Sequence, residues 1–143
     1  MCVRSVVASV LIAFALLGCG RFRKAKECEL LAKTVSAWIA RQPAPNPAAA
    51  TPASLSEEAR VTAQNYETLD RELGALDIQS PELSTRVARY RKLARNSAQA
   101  LADVGRALSA SDLELARRRR VDFDAIVQAE APLVAEINGQ CKR

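Results

Sequence analysis

Between Ser80 and Leu108 the apolar and small residues Leu83, Val87, Tyr90, Ala94, Ser97, Leu101, Val104 and Leu108 alternate spacings of four and three without a break. A strand sends every second side chain to the same face, so this pattern belongs to a helix whose seam packs against other helices. Ser80-Pro81-Glu82 supplies a cap and a proline at the first helical position, which predicts a helix from there to about Leu108. The same periodicity recurs in three other segments. Cys28, Leu31, Val35 and Trp38 predict a first helix over about Lys24 to Arg41, with Trp38 and Ile39 as its bulkiest anchors. Leu55, Thr62, Tyr66, Leu69, Leu73 and Leu76 predict a second, opened by the capping-box spacing Ser54 to Glu57 and ended at Gly74. Phe123, Ile126, Val127, Leu133, Val134 and Ile137 predict a last helix from Ser111-Asp112-Leu113-Glu114 to about Asn138-Gly139. Pro132 should bend it near Gln128. The first connection, 42–53, is stiffened by Pro43, Pro45, Pro47 and Pro52, and the other two are short. Short connections join antiparallel neighbours, so the expected fold is all-α, an up-down-up-down four-helix bundle.

The chain contains no histidine, which removes the commonest general base, the commonest transition-metal ligand and the Ser-His and Cys-His nucleophile systems. It has no CxxC, no phosphate-cradling glycine loop and no acidic calcium loop, and its one methionine is the first residue, which leaves no methionine axial ligand for a haem. The expectation is no enzyme, no cofactor and no metal site. The formal net charge of +5 favours anionic partners.

At the N-terminus, Arg4 precedes an apolar run that begins near Ser5 and ends at Leu16-Leu17-Gly18-Cys19, with Arg21, Arg23, Lys24 and Lys26 following. One cation, about a dozen apolar or small residues and a small-residue cut site are the parts of a secretory signal, too short to span a bilayer. Leu16-Leu17-Gly18-Cys19 resembles the lipobox of bacterial lipoproteins. That resemblance implies cleavage before Cys19, lipid on its thiol and acylation of its new amine. It divides the chain into a signal peptide over 1–18, a lipidated Cys19 with a basic tether over 19–27, and a helical domain over 28–143. With Cys2 lost and Cys19 acylated, Cys28 and Cys141 remain as an even pair in an oxidising compartment, and the return of the last helix to the side where the first begins brings them together as a disulfide. The implied location is the bacterial cell envelope, by the N-terminal lipid. Gly20 does not supply the aspartate that signals inner-membrane retention in some Gram-negative bacteria, which points to the outer membrane, facing the periplasm.

Two constellations stand out in the domain. Arg117, Arg118, Arg119 and Arg120 sweep nearly a full helical turn, so some should lie along the bundle. Asp122 and Asp124 stand four residues beyond Arg118 and Arg120, and Asp103 falls opposite Arg117, so the run reads either as internally paired or as a site for an anionic partner. Glu130 falls on the apolar side of the last helix and needs a partner, for which Tyr90 and Tyr66 lie at the right level. The function expected is that of a non-catalytic envelope lipoprotein whose bundle binds an envelope protein or an anionic envelope polymer, with no role for nucleic acid. The alternative is a carrier of a small apolar ligand or lipid, held near the small residues Ala94, Ser97 and Ala98.

Overall fold

A computed structural model describes the backbone of residues 3–42 and 51–142 and the side chains of 20–42 and 51–142. The side chains of the lipobox, Cys19 among them, and the proline segment 43–50 lie outside the described residues. Among those described, the protein is entirely helical: α1 (Val3–Ala40), α2 (Pro52–Gly74), α3 (Pro81–Ser109), α4 (Leu113–Gln128) and α5 (Glu130–Cys141). None of these helices is long and apolar enough to cross a membrane, as far as the described residues extend.

The α3 seam behaves as its spacing requires. Leu83, Val87, Tyr90, Ala94, Ser97, Leu101 and Val104 are all buried, and α3 is the element on which α2, α4 and α5 all pack. Its interface with α2 is the largest in the molecule. Small residues let those two backbones approach: Ser56 Oγ donates to the Gly105 carbonyl at 2.9 Å, and a Cβ on Gly105 would stand 3.3 Å from the Ser56 carbonyl. Asp70 ties the same pair of helices by accepting from Arg91 and Arg95, each at 2.8 Å. Glu136 of α5 accepts from Arg89 of α3 at 2.6 Å, and Glu82 of α3 meets Gln140 of α5.

The helix ends differ from expectation by a few residues, for local reasons. Pro52, which needs no N–H partner at the first helical position, starts α2 earlier than Ser54. The capping box is therefore Thr51 with Ser54, while Glu57 pairs with Arg60. Between α3 and α4, Ser111 takes a left-handed conformation, φ 58°, and closes α3 through Asp112 N–H to the Ala107 carbonyl at 2.9 Å. Asp112, not Ser111, caps α4, accepting from the Leu115 amide. Pro132 acts as expected: with no N–H there, the helix breaks at Ala129 and resumes as α5 from Glu130.

The side of α1 that meets the bundle is the expected seam, with Leu31 and Trp38 buried and Cys28 and Val35 packed against the core. Ile39 is not an anchor; it is 58% exposed, one residue round the helix from Trp38. The helix also starts well before Lys24. The Trp38 indole N–H donates to the Asn65 carbonyl of α2 at 2.9 Å, and Tyr66 meets the indole ring at 5.2 Å. A disulfide joins Cys28 to Cys141, Cα atoms 5.7 Å apart, fastening the first helix to the last.

Candidate interaction site

The run Arg117 to Arg120 lies on the first two turns of α4, and all four residues are exposed, none being drawn into the bundle. Their long stems let the guanidinium groups reach water from every side of the turn. Their pairing is local and differs from the spacing argument at three points. Arg119, not Arg118, reaches Asp122, at 3.3 Å; Arg118 turns back to Glu114 at 3.9 Å; and Asp103 is engaged by Gln99 and Arg106 of its own helix, not by Arg117. Arg120 pairs with Asp124 at 2.9 Å as expected, and its guanidinium also lies over the Phe123 ring, 5.6 Å from the centroid. Exposed pairs of this kind are worth less than about 1 kcal/mol each, so the run does little for stability.

Helical phase divides the run. Arg117 and Arg120, three residues apart, line a groove of about 490 Å³ between α2, α3 and α4, and Arg118 and Arg119 do not. The groove is apolar on its floor, where Leu101, Val104 and Leu108 of α3 meet Phe123 of α4. Leu55 of α2 and Leu113 of α4 form its edges and are 41% and 54% exposed. Glu58 of α2 stands across from the arginines.

The carboxylate flagged by its apolar neighbours, Glu130, has its partner. The Tyr90 hydroxyl donates to Glu130 Oε1 at 2.8 Å. Burial first, then the hydrogen bond and the Glu130 charge, push the Tyr90 phenol far above its ordinary range. Burial and then the same carboxylate push the Tyr66 phenol up to about 12. Both phenols stay protonated at neutral pH, and Tyr90 serves Glu130 as a donor, which fits a structural contact better than a proton-transfer pair. The Tyr66 ring meets Phe123 edge-on at 6.3 Å between centroids. Ala94, Ser97 and Ala98 are buried in the core, so the small stripe of α3 is covered. A separate apolar cleft of about 260 Å³ opens between α1 and α5, with Leu31, Val35, Tyr90, Val134 and Ile137 on its walls.

Glu27 carries a role that its place in a run of cations concealed. It is the first buried side chain of α1 among those described, and it accepts from the backbone amides of Gln79 and Ser80 at 3.0 and 3.2 Å. Burial pushes its carboxyl up, but the Ser80 hydroxyl and the two amides outweigh burial and hold it below the usual carboxylate range. The anion thus sits against the N-terminus of α3 and locks α1 onto the turn after α2. The only hint in the sequence is an acid amid Arg23, Lys24 and Lys26; its partners are more than fifty residues away. No group of three or more histidine, cysteine, aspartate or glutamate residues that could hold a metal occurs among the described residues.

Comparison with protein-family models, with curated proteins and with solved structures found no match to this chain. A function must therefore be argued from its own residues.

Proposed function

We propose that the chain is a non-catalytic lipoprotein of the bacterial cell envelope, held at the membrane by lipid on Cys19, whose helices form an up-down-up-down bundle that binds another envelope component. The observation that carries this reading is the union of exposed arginine and apolar groove on α4. Four guanidinium groups that contribute little to folding stand on α4, and those of Arg117 and Arg120 line the groove with Leu55 and Leu113, both left open to water. The bundle topology is supported by the contacts that pair Glu27 with Ser80, Ser56 with Gly105, Tyr90 with Glu130 and Cys28 with Cys141. The lipid anchor is supported by Leu16-Leu17-Gly18-Cys19 at the end of the apolar run, followed by Arg21, Arg23, Lys24 and Lys26. Arg21, Arg23, Lys24 and Lys26 would then face anionic head groups, each adding about 1 kcal/mol of attraction near the surface.

The test is replacement of Arg117 to Arg120 by glutamine in the native host, with copurification from detergent-solubilised envelopes and a thermal melt of the purified protein. The expected result is loss of the copurifying partner with a melting temperature changed by less than about 3 °C. Unchanged capture with a clear loss of stability would contradict the proposal. The second reading, a carrier of a small apolar ligand, has one observation in its favour, the cleft between α1 and α5. Native mass spectrometry showing a retained lipid would move the assignment there.

A further inference from the structure

The groove lies where the first helix has run out. Trp38 is the last buried residue of α1, and its bond to Asn65 sets that point midway along α2. The part of α2 from Pro52 to Asn65, about 20 Å at 1.5 Å per residue, lies beyond it. Over that length the described residues offer α2, α3 and α4 as three walls, and the groove is the open side where a fourth would stand.

Resting on the interaction-module reading above, we propose that the groove takes one amphipathic acidic helix from a partner protein. That helix would have about 13 residues, apolar at positions i, i+3, i+4 and i+7, with Asp or Glu beside that stripe. The floor of Leu101, Val104 and Phe123 demands apolar side chains, which an anionic polysaccharide does not have. The rim demands acids: Arg117 has no ion pair among the described residues, and Arg120 shares its guanidinium only with Asp124 and the Phe123 ring. A second copy of this chain is disfavoured, because docking through α4 would set arginine against arginine. Glu58 on the opposite rim orients the partner, its acidic edge toward α4 and a neutral or basic one toward α2.

The experiment places a photo-reactive benzoylphenylalanine at Leu113, and separately at Thr62, in the full chain expressed in its native cells, and sequences the cross-linked peptides. The expected product is a peptide of another protein with helical apolar spacing and net negative charge. Its yield should fall about tenfold in Arg117→Glu/Arg120→Glu and less than about threefold in Arg118→Glu/Arg119→Glu, since only the first pair lines the groove. Melting curves of the variants confirm that they fold. Cross-links to residues 43–50 of this chain, to a second copy, or to lipid or polysaccharide alone would overturn the inference, as would equal losses in the two pairs or no cross-link at all. A partner that still copurifies while neither position cross-links sinks the helix in the groove and spares the interaction module. Absence of any copurifying partner sinks both.

Discussion

Replacing Cys28 and Cys141 together with alanine tests how the first helix is held. The bridge closes a loop with a sequence separation of 113, and the chain-entropy relation gives a ceiling of about 4.8 kcal/mol for a loop of that size. Measured bridges usually deliver about 2 to 4 kcal/mol, and about 3 is expected here. The folded state should survive, because Leu31 and Trp38 remain buried and Glu27 still accepts from Gln79 and Ser80. With a urea slope of about 1.5 kcal/mol/M the midpoint should fall by about 2 M. Trp38 is the only tryptophan, so its emission reports the docking of α1 on α2, while far-UV ellipticity reports all helices. In the double variant the Trp38 transition should precede the loss of ellipticity, since α1 meets the bundle through a much smaller interface than α2 shares with α3. A midpoint shift below about 0.5 M, or the same shift on both probes with α1 still docked, would refute this account of the bridge.

Ser97→Ala should stabilise the protein by about 1 kcal/mol, read as a rise of about 4 °C in melting temperature, because the Ser97 hydroxyl is fully buried and has no hydrogen-bond partner among the described residues. A loss of stability there would mean that the hydroxyl is satisfied. Glu27 has a carboxyl held below its unfolded value of about 4.3, so its contribution is present above that pH and is lost as pH falls through the lower, folded value. Acid titration of Trp38 emission should therefore show α1 loosening below about pH 4.3, and Glu27→Gln should remove that step. Tyr66 and Tyr90 have the opposite dependence. Their phenols are raised in the folded state, so the stability they contribute is complete below about pH 10 and declines as pH climbs toward the folded value, about 12 for Tyr66. Alkaline difference absorbance at 295 nm should show both ionising only with unfolding; a normal titration of Tyr90 would contradict its burial against Glu130, and a normal titration of Tyr66 would contradict its burial.

What could be read from the sequence followed periodicity and covalent constraint. The α3 seam, the break imposed by Pro132, the phenol partner of Glu130 and the Cys28–Cys141 pair each came from a rule that acts within one helix or from folding two helices back on each other. What escaped depended on neighbours the sequence does not order. Ile39 has the composition of an anchor, but among the described residues α1 buries the side that carries Leu31 and Trp38 and leaves Ile39 exposed. Glu27 reads as part of a solvated charged run until Ser80 is placed beside it. Ser54 with Glu57 and Thr51 with Ser54 are both capping spacings, and Pro52 decides between them. The arginine run looked like a single feature because charge is legible and helical phase against a third helix is not. Only the packing of α4 on α3, with α2 on the other side of the groove, separates Arg117 and Arg120, at the groove, from Arg118 and Arg119 outside it.

The claim that organises the rest is that Cys19 is the lipidated first residue of a mature chain. Non-reducing mass spectrometry of the N-terminal peptide from membrane-extracted protein measures this directly. The account predicts a peptide that begins at Cys19 and carries a diacylglyceryl group on its thiol with an acylated amine. A peptide that begins anywhere else, or a Cys19 with a free thiol, contradicts it.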